Sequence, residues 1–317
     1  MSERTVFLNG EYVPESEAKV SIFDAGFRAG DGVYEMTRTY GGTPFRLDRH
    51  LRRLESSMRY MQIDPGLSLD ELKRLTLEVL DRNRHLLGEV EDYQIWHNIS
   101  RGASLQSTHG VSGTATVAIY CVPLNFTAYA RDFHCGAPLV TPAIRRTPPE
   151  ALDSRAKITN KSNHIQANLQ ARLVESRCYP LMLDLRGFIT ESSFANFFAV
   201  SGETLLTPSL LNVLEGITRM EILEIAGEAG VPVREGDMTI FEAVNADEAF
   251  LCTTSFAILP AGLINGQPVR GAVPGKVTLK LIEGFSKRVG MDILEQALRP
   301  AEVSAPTPAE AAKGGAT

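Results

Sequence analysis

The sequence predicts a mixed α+β and α/β chain of two domains, and three observations carry the prediction. The chain has 317 residues, a length that suits two domains or one large one. Its residues are 44% hydrophobic and 22% charged, which supplies enough apolar material for more than one buried core. The patterning also changes along the chain. Hairpins and long amphipathic helices fill the first part, and short apolar strands interleaved with helices fill the rest.

Taken in order, Val6 to Val13 holds Asn9-Gly10 between short apolar runs, a hairpin signal because both turn residues accept positive φ. A second hairpin joins Val33–Tyr40 to Thr43–Leu47 through Gly41-Gly42. From Asp48, placed as an N-cap, Leu51, Leu54, Met58 and Met61 recur at three or four residues, the period of a helix with one buried face. Ser68 and Glu71 have capping-box spacing and open a helix running towards Leu87, where Gly88 stops it. Tyr93–Ile99 and Thr114–Val122 are rich in β-branched and aromatic residues and predict strands.

Residues 123–134 break this patterning and are the expected linker between an N-terminal domain, 1–122, and a larger C-terminal one, 135–299. In the second domain, strands are expected at Leu181–Leu185, Phe194–Val200 and Ala249–Cys252. Helices are expected at Ser162–Arg177, Thr218–Ala229 and Lys276–Val289, with Gly230 as a helix stop. Residues 300–317 are rich in Pro, Ala and Gly without periodicity and predict a disordered tail.

A net charge of −6 argues against a nucleic-acid surface, which needs a concentrated basic face. The four cysteines are spaced unlike any metal motif, and Cys121, Cys178 and Cys252 sit in apolar stretches as reduced core residues would. The N-terminus is charged where a signal peptide needs an apolar run, and no segment has membrane-spanning length. The expected location is cytoplasmic.

Taken singly, no residue decides the chemistry; a lone lysine is usually a surface charge. A set of motifs in order says more. They are Gly30-Asp31-Gly32-Val33-Tyr34-Glu35, His50-Leu51-Arg52-Arg53-Leu54, Ile144-Arg145-Arg146 leading to Lys157, Thr190-Glu191-Ser192-Ser193 with Asn196, Gly216-Ile217-Thr218-Arg219, and Cys252-Thr253-Thr254-Ser255. In this order they resemble the class IV aminotransferases, the fold-type IV family that uses pyridoxal 5′-phosphate (PLP). That family includes branched-chain amino acid aminotransferases, D-amino acid aminotransferases, (R)-selective amine transaminases and aminodeoxychorismate lyase. The resemblance runs from the first hairpin to about Val289. It implies a two-domain fold with PLP between the domains, ping-pong transfer from an amino donor to a 2-oxo acid, and a homodimer. It also suggests that the Ser100–His109 loop completes the neighbouring subunit's pocket.

PLP needs a lysine for imine formation, an acid near its pyridine nitrogen, and donors for its phosphate. The resemblance makes Lys157 the Schiff-base lysine. Lys161 competes, four residues on. The run from Ile144-Arg145-Arg146 and the distance to Glu191 favour Lys157, while Asn163-His164 stands two residues late where the family has Asn-Tyr. Glu191 is the implied partner of the pyridine nitrogen, although alone it reads as a capping or solvated glutamate. Arg53 offers phosphate a planar fork. Gly216, Ile217 and Thr218 open a helix whose free N–H groups suit an anion. Asn196, Thr253 and Thr254 complete the implied cofactor set. Tyr34, Arg38, Arg101 and Ser255 are the implied substrate residues, with Tyr34, Met36 and Arg38 sharing one strand face.

Substrate choice is less sharply marked. D-amino acid aminotransferases resemble this chain at Ser100-Arg101-Gly102-Ala103-Ser104, but the arginine they then supply is replaced here by Leu105-Gln106-Ser107-Thr108-His109. The Lys157–Glu191 spacing and the Gly-Ile-Thr-Arg motif are shared with branched-chain enzymes, and the Ile-Arg-Arg approach with (R)-amine transaminases. A branched-chain L-amino acid is therefore the leading expectation for the donor. The alternatives are an amine, a D-amino acid or lyase chemistry.

Overall fold

The computed structural model describes residues 3–86, 92–103, 114–127 and 129–304. Among these, six strands form a first sheet: β1 (Thr5–Leu8), β2 (Glu11–Pro14), β3 (Gly32–Tyr40), β4 (Thr43–Pro44), β5 (Tyr93–Ser100) and β6 (Thr116–Pro123), in the order β2-β1-β6-β5-β3-β4. Every pairing in it is antiparallel. The second sheet comprises β7 (Ala137–Val140), β8 (Tyr179–Pro180), β9 (Asn196–Ser201), β10 (Thr204–Thr207), β11 (Val233–Glu235), β12 (Glu248–Thr253), β13 (Ala257–Ile264) and β14 (Gln267–Pro268). It is mixed, with β7 parallel to β13 and β8, and β10 parallel to β11. The helices are α1 (Ala25–Ala29), α2 (Leu47–Met61), α3 (Leu69–Asn83), α4 (Ala130–Cys135), α5 (Ser162–Val174), α6 (Ile217–Glu228), α7 (Ile240–Val244), α8 (Lys276–Val289) and α9 (Ile293–Ser304).

Alternation along β5 decides which side of the first sheet meets which environment. Tyr93, Ile95, His97 and Ile99 are buried and share a core with α2 and α3, whereas Gln94 and Trp96 face the other way. The second sheet is apolar on both faces, as a sheet covered on both sides must be. Phe197 and Leu251 belong to the core shared with α4 and α9, and Phe198 and Phe250 to the core shared with α6 and α8.

Both hairpins form, and positive φ at Asn9, Gly10, Gly41 and Gly42 accounts for the turn residues. The Ser68–Glu71 capping box is present, and α8 has the expected bounds. Other expectations need correction. Arg46, with φ of 53°, caps α2 without a side-chain bond, so Asp48 lies inside the first turn, where it complements the helix dipole. Leu181–Leu185 is not a strand. Only Leu183 makes a bridge, to Ile189; residues 181–184 are buried outside any strand, and Leu185 is exposed. The expected linker carries the end of β6 and α4, and its Leu124, Phe126 and Phe133 are buried in the second sheet's core. Cys178 is half-buried rather than in the core. Helix α9 continues past Pro300 to Ser304, so the tail does not begin at 300. Gly88 and residues 305–317 lie outside the described residues.

Candidate functional site

A cavity of about 580 Å³ opens between the outward face of β3 and β5 and the loops around the second sheet. The segment carrying Lys157 is stapled at three places, once to α2 and twice to β3. The Lys157 N–H donates to Ser57 Oγ at 3.0 Å, the Lys157 carbonyl accepts the Tyr34 N–H at 2.9 Å, and Ile158 bridges Val33. Lys157 Nζ donates to the Tyr34 hydroxyl at 3.0 Å. Burial, reinforced by the Arg53 guanidinium, lowers the pKa of this amine to about 8. A substantial fraction is therefore neutral near physiological pH, as nucleophilic attack on a carbonyl requires. Lys161, immediately before α5, also lines the cavity, with Nζ 4.5 Å from the centre of the Tyr34 ring.

Glu191 sits on the opposite rim among fixed donors. Its Oε1 accepts Arg146 Nε at 3.0 Å and lies 3.8 Å from His164 Nε2. Its Oε2 accepts the Leu214 N–H at 2.9 Å and faces Asn196 Nδ2 at 3.5 Å. Burial alone would raise its pKa, but the His164 ring, the Arg146 guanidinium and the Leu214 N–H hold it at about 2. It is a buried acceptor, ionised at neutral pH and able to hold a protonated ring nitrogen. Arg146 and His164 had no assigned role in the sequence reading, because a side chain that steadies another leaves no mark in spacing.

Phosphate-type donors converge on the same space. Gly216 caps α6 with no side-chain cap bond, which leaves the first N–H groups of that helix open. A Cβ at Gly216 would overlap Asn196 Oδ1 and push that side chain aside. Thr218, Thr253 and Thr254 line the cavity with Gly216 and Ile217. Arg53 is present too, but its fork is already engaged. Nε and Nη2 reach the two oxygens of Glu35 at 2.9 and 2.7 Å, and Nη1 donates to the Glu215 carbonyl at 2.8 Å. One N–H remains on each terminal nitrogen. Asn196 is committed to the Leu214 carbonyl at 2.9 Å and to Glu191, which makes it a holder of the acid.

Two expected substrate arginines are not brought to the cavity. Arg38 is 1% exposed and spends its guanidinium on the carbonyls of Thr39 and Ser255 and on Gln296 Oε1, with Asp92 3.5 Å away. Strand alternation does put it on the face of Tyr34 and Met36, but at Arg38 that face is covered by the Ser255 turn and α9. Arg101 pairs bidentately with Asp31 at 2.6 and 3.1 Å and donates to the carbonyls of Met61 and Gln62. Tyr34 does line the cavity, stacked on Trp96, which is stacked in turn on Tyr120. Ser255 lines it as well. His97 points into the α3 core and pairs with Thr76 Oγ1 at 2.7 Å. Residues 104–109 lie outside the described residues.

The donor set fits PLP: a partly neutral buried lysine, an ionised carboxylate, and open helix N–H groups beside hydroxyls and an arginine, all in one cavity. Comparisons with known proteins agree. The family model described as amino-transferase class IV matches residues 32–264. A putative branched-chain-amino-acid aminotransferase of Methanocaldococcus jannaschii is 33% identical over 282 residues, covering 88% of this chain and 94% of its own. A D-alanine aminotransferase of Bacillus licheniformis is 30% identical, covering 86% and 93%. The branched-chain aminotransferase of Thermoproteus uzoniensis, solved with norvaline, superimposes with a TM-score of 0.82 at 28% identity, covering 95% of this chain and 98% of that one. A T.th. branched-chain amino acid aminotransferase, complexed with N-(5′-phosphopyridoxyl)-L-glutamate, gives 0.80 at 26%, covering 92% and 95%. The chain therefore belongs to the class IV aminotransferases, and its cofactor is PLP.

Proposed function

We propose that this aminotransferase takes a branched-chain L-amino acid as donor and a 2-oxo acid as acceptor, with Lys157 as the covalent anchor of the cofactor. The observation that carries the substrate reading is the apolar wall of the cavity, formed by Met36, Trp96, Tyr129, Phe194 and Phe256. Such a wall gains by burying an aliphatic side chain and offers no partner to a charged one. The names of the Methanocaldococcus and Thermoproteus relatives point the same way. Arg101, locked to Asp31, is not free for the carboxylate grip expected of a D-amino acid enzyme.

When bound, PLP supplies an electron sink for the carbanion formed at the substrate α-carbon. The protein residues do the rest. Lys157 Nζ, released by the incoming amine, carries the proton from the α-carbon, and the Tyr34 hydroxyl 3.0 Å away orients it. Glu191, fixed by Arg146 and Leu214, keeps the ring nitrogen protonated. Arg53, Gly216, Ile217, Thr218 and Thr254 hold the phosphate, with Thr253 beside them. Transfer is ping-pong, one 2-oxo acid leaving before the next binds.

The same reading takes residues 1–122 and 135–299 as two domains with the cofactor between them, in a cytoplasmic homodimer. The dimer is supported by Ile165, Leu169 and Leu173, apolar and exposed along one side of α5, beside exposed Phe194. The reducing location is supported by four free cysteines.

The test is an absorbance titration of the purified holoenzyme with L-leucine, D-alanine and (R)-1-phenylethylamine in separate cuvettes. Conversion of the lysine-bound cofactor band to the pyridoxamine band by L-leucine is the expected result. Conversion by D-alanine or the amine alone reassigns the substrate, and pyruvate released from aminodeoxychorismate without an acceptor indicates a lyase. Lys157→Ala is expected to lose the lysine-bound band; its persistence there and loss in Lys161→Ala would move the anchor to Lys161.

A further inference from the structure

We propose that Lys161 reads the substrate carboxylate, a role that rests on Lys157 being the cofactor anchor. Positive charge around the cavity is otherwise committed. Among the described residues, the arginine and lysine side chains lining the cavity are Arg53, Arg146, Lys157 and Lys161. Arg53 is held by Glu35 and the Glu215 carbonyl, and Arg146 by Glu191. Lys157 is consumed as the anchor. Arg38 and Arg101 are paired outside the cavity. Residues 104–113 contain neither lysine nor arginine. Lys161 is the amine left over; it rests on the face of Tyr34, and burial lowers its pKa while the Tyr34 side chain opposes that shift.

Position agrees with charge. Both amines lie against one ring, Lys157 Nζ 4.2 Å and Lys161 Nζ 4.5 Å from the Tyr34 centroid. An α-carboxylate is bonded directly to the carbon whose proton Lys157 moves. The group that grips it must therefore stand near Lys157 Nζ, and Lys161 shares the Tyr34 ring with it. Stacking on Trp96 holds the tyrosine against which both amines lie. The backbone of Lys161 is held as well, its carbonyl accepting the Ile165 N–H at 2.8 Å in the first turn of α5. The Ser162 N–H that opens the helix donates to Asn160 Oδ1 at 3.3 Å, and the positive end of the α5 dipole adds to the potential at the lysine.

The class of ligand follows: α-amino acids and 2-oxo acids, both of which carry this carboxylate, as distinct from simple amines. The probes are 4-methylvalerate, the leucine skeleton without its amino group, and its uncharged amide, each titrated into holoenzyme and followed by the cofactor absorbance. Wild-type enzyme is expected to prefer the acid by about ten- to a hundredfold, the factor one charged hydrogen bond gives. Lys161→Gln should keep the cofactor band and lose that preference, and Lys161→Arg should restore part of it. Lys161→Met, of similar volume, serves if the glutamine variant fails to fold. KM for L-leucine and for 2-oxoglutarate should rise together in Lys161→Gln, by a similar factor. No preference in the wild type, or a preference that survives in the variants, overturns the proposal. So does loss of the cofactor band in Lys161→Gln with its retention in Lys157→Ala, which also overturns the anchor assignment. Failure of L-leucine to react would reject the branched-chain reading alone, since the acid-to-amide ratio does not depend on turnover.

Discussion

Glu191 and Lys157 are opposite solutions to burying a charge. Glu191 is surrounded by donors and stays ionised, with a pKa of about 2 against an ordinary value of about 4.3. A carboxyl group with a depressed folded pKa adds stability that is fully present above the unfolded pKa and is lost as pH falls through the folded one. The window is about pH 4.3 down to 2, and the contribution is at most ~3 kcal/mol. Glu191→Gln should flatten the acid limb of a plot of unfolding free energy against pH. It should retain PLP while lowering kcat about a hundredfold or more; unchanged turnover would remove Glu191 from the mechanism. Lys157 is surrounded by fewer partners and yields its proton instead. Its folded pKa of about 8 is depressed below 10.4, so its protonation opposes folding fully below pH 8, and that cost fades between 8 and about 10.4. Capture of PLP by the cofactor-free protein should therefore quicken about tenfold per pH unit up to about 8 and then level off. Stopped-flow absorbance across that range checks it.

At the scale of elements, β3, the turn after β12 and helix α9 are locked by one buried cluster. Arg38 holds the Ser255 carbonyl, and Gln296 of α9 links Arg38 to Asp92, which in turn accepts the Thr39 hydroxyl at 2.6 Å. Arg38→Met leaves Asp92 buried without its cation and should cost about 3–5 kcal/mol, read as a lower urea midpoint. Because the Ser255 turn follows Thr253 and Thr254, the same variant should also weaken PLP retention. Gly216→Ala is expected to act on the site with little effect on global stability. Its Cβ displaces the Asn196 side chain that faces Glu191. The measurement is the PLP dissociation constant, expected to rise about tenfold beside a nearly unchanged melting temperature; an unaltered constant would count against the α6 N-terminus as the phosphate cradle.

Across the whole molecule, the site exists because two differently built sheets meet. The first turns its aromatic face, Tyr34 and Trp96, away from its own helices, and the second brings Glu191, Gly216 and Thr254 to the same opening. The apolar side of α5, with Leu173 87% and Leu169 54% exposed, is the face we propose for the dimer contact. Leu169→Asp combined with Leu173→Asp should shift the protein from dimer to monomer in sedimentation velocity. An unchanged sedimentation coefficient would place the subunit interface elsewhere.

Local chemistry was legible in the chain: both hairpin turns, the Ser68 capping box, the helical periods of α2 and α8, and the motif series that names the family. These depend on residues near one another in sequence, where φ preferences, capping and period act directly. Lys157, Glu191, Gly216, Thr218 and Thr254, which the motif series marks by type and spacing, line one cavity. The tertiary structure decided what each long, charged side chain meets. Arg38, Arg101 and Arg53 are alike on paper, yet one is sealed beneath α9, one is spent on Asp31, and one reaches the cavity already paired with Glu35. Arg146 and His164 became visible only as neighbours of Glu191. The physical reason is range: a guanidinium or ammonium on a flexible stem is placed by whichever partner the fold delivers from far along the chain, and that partner leaves no local trace.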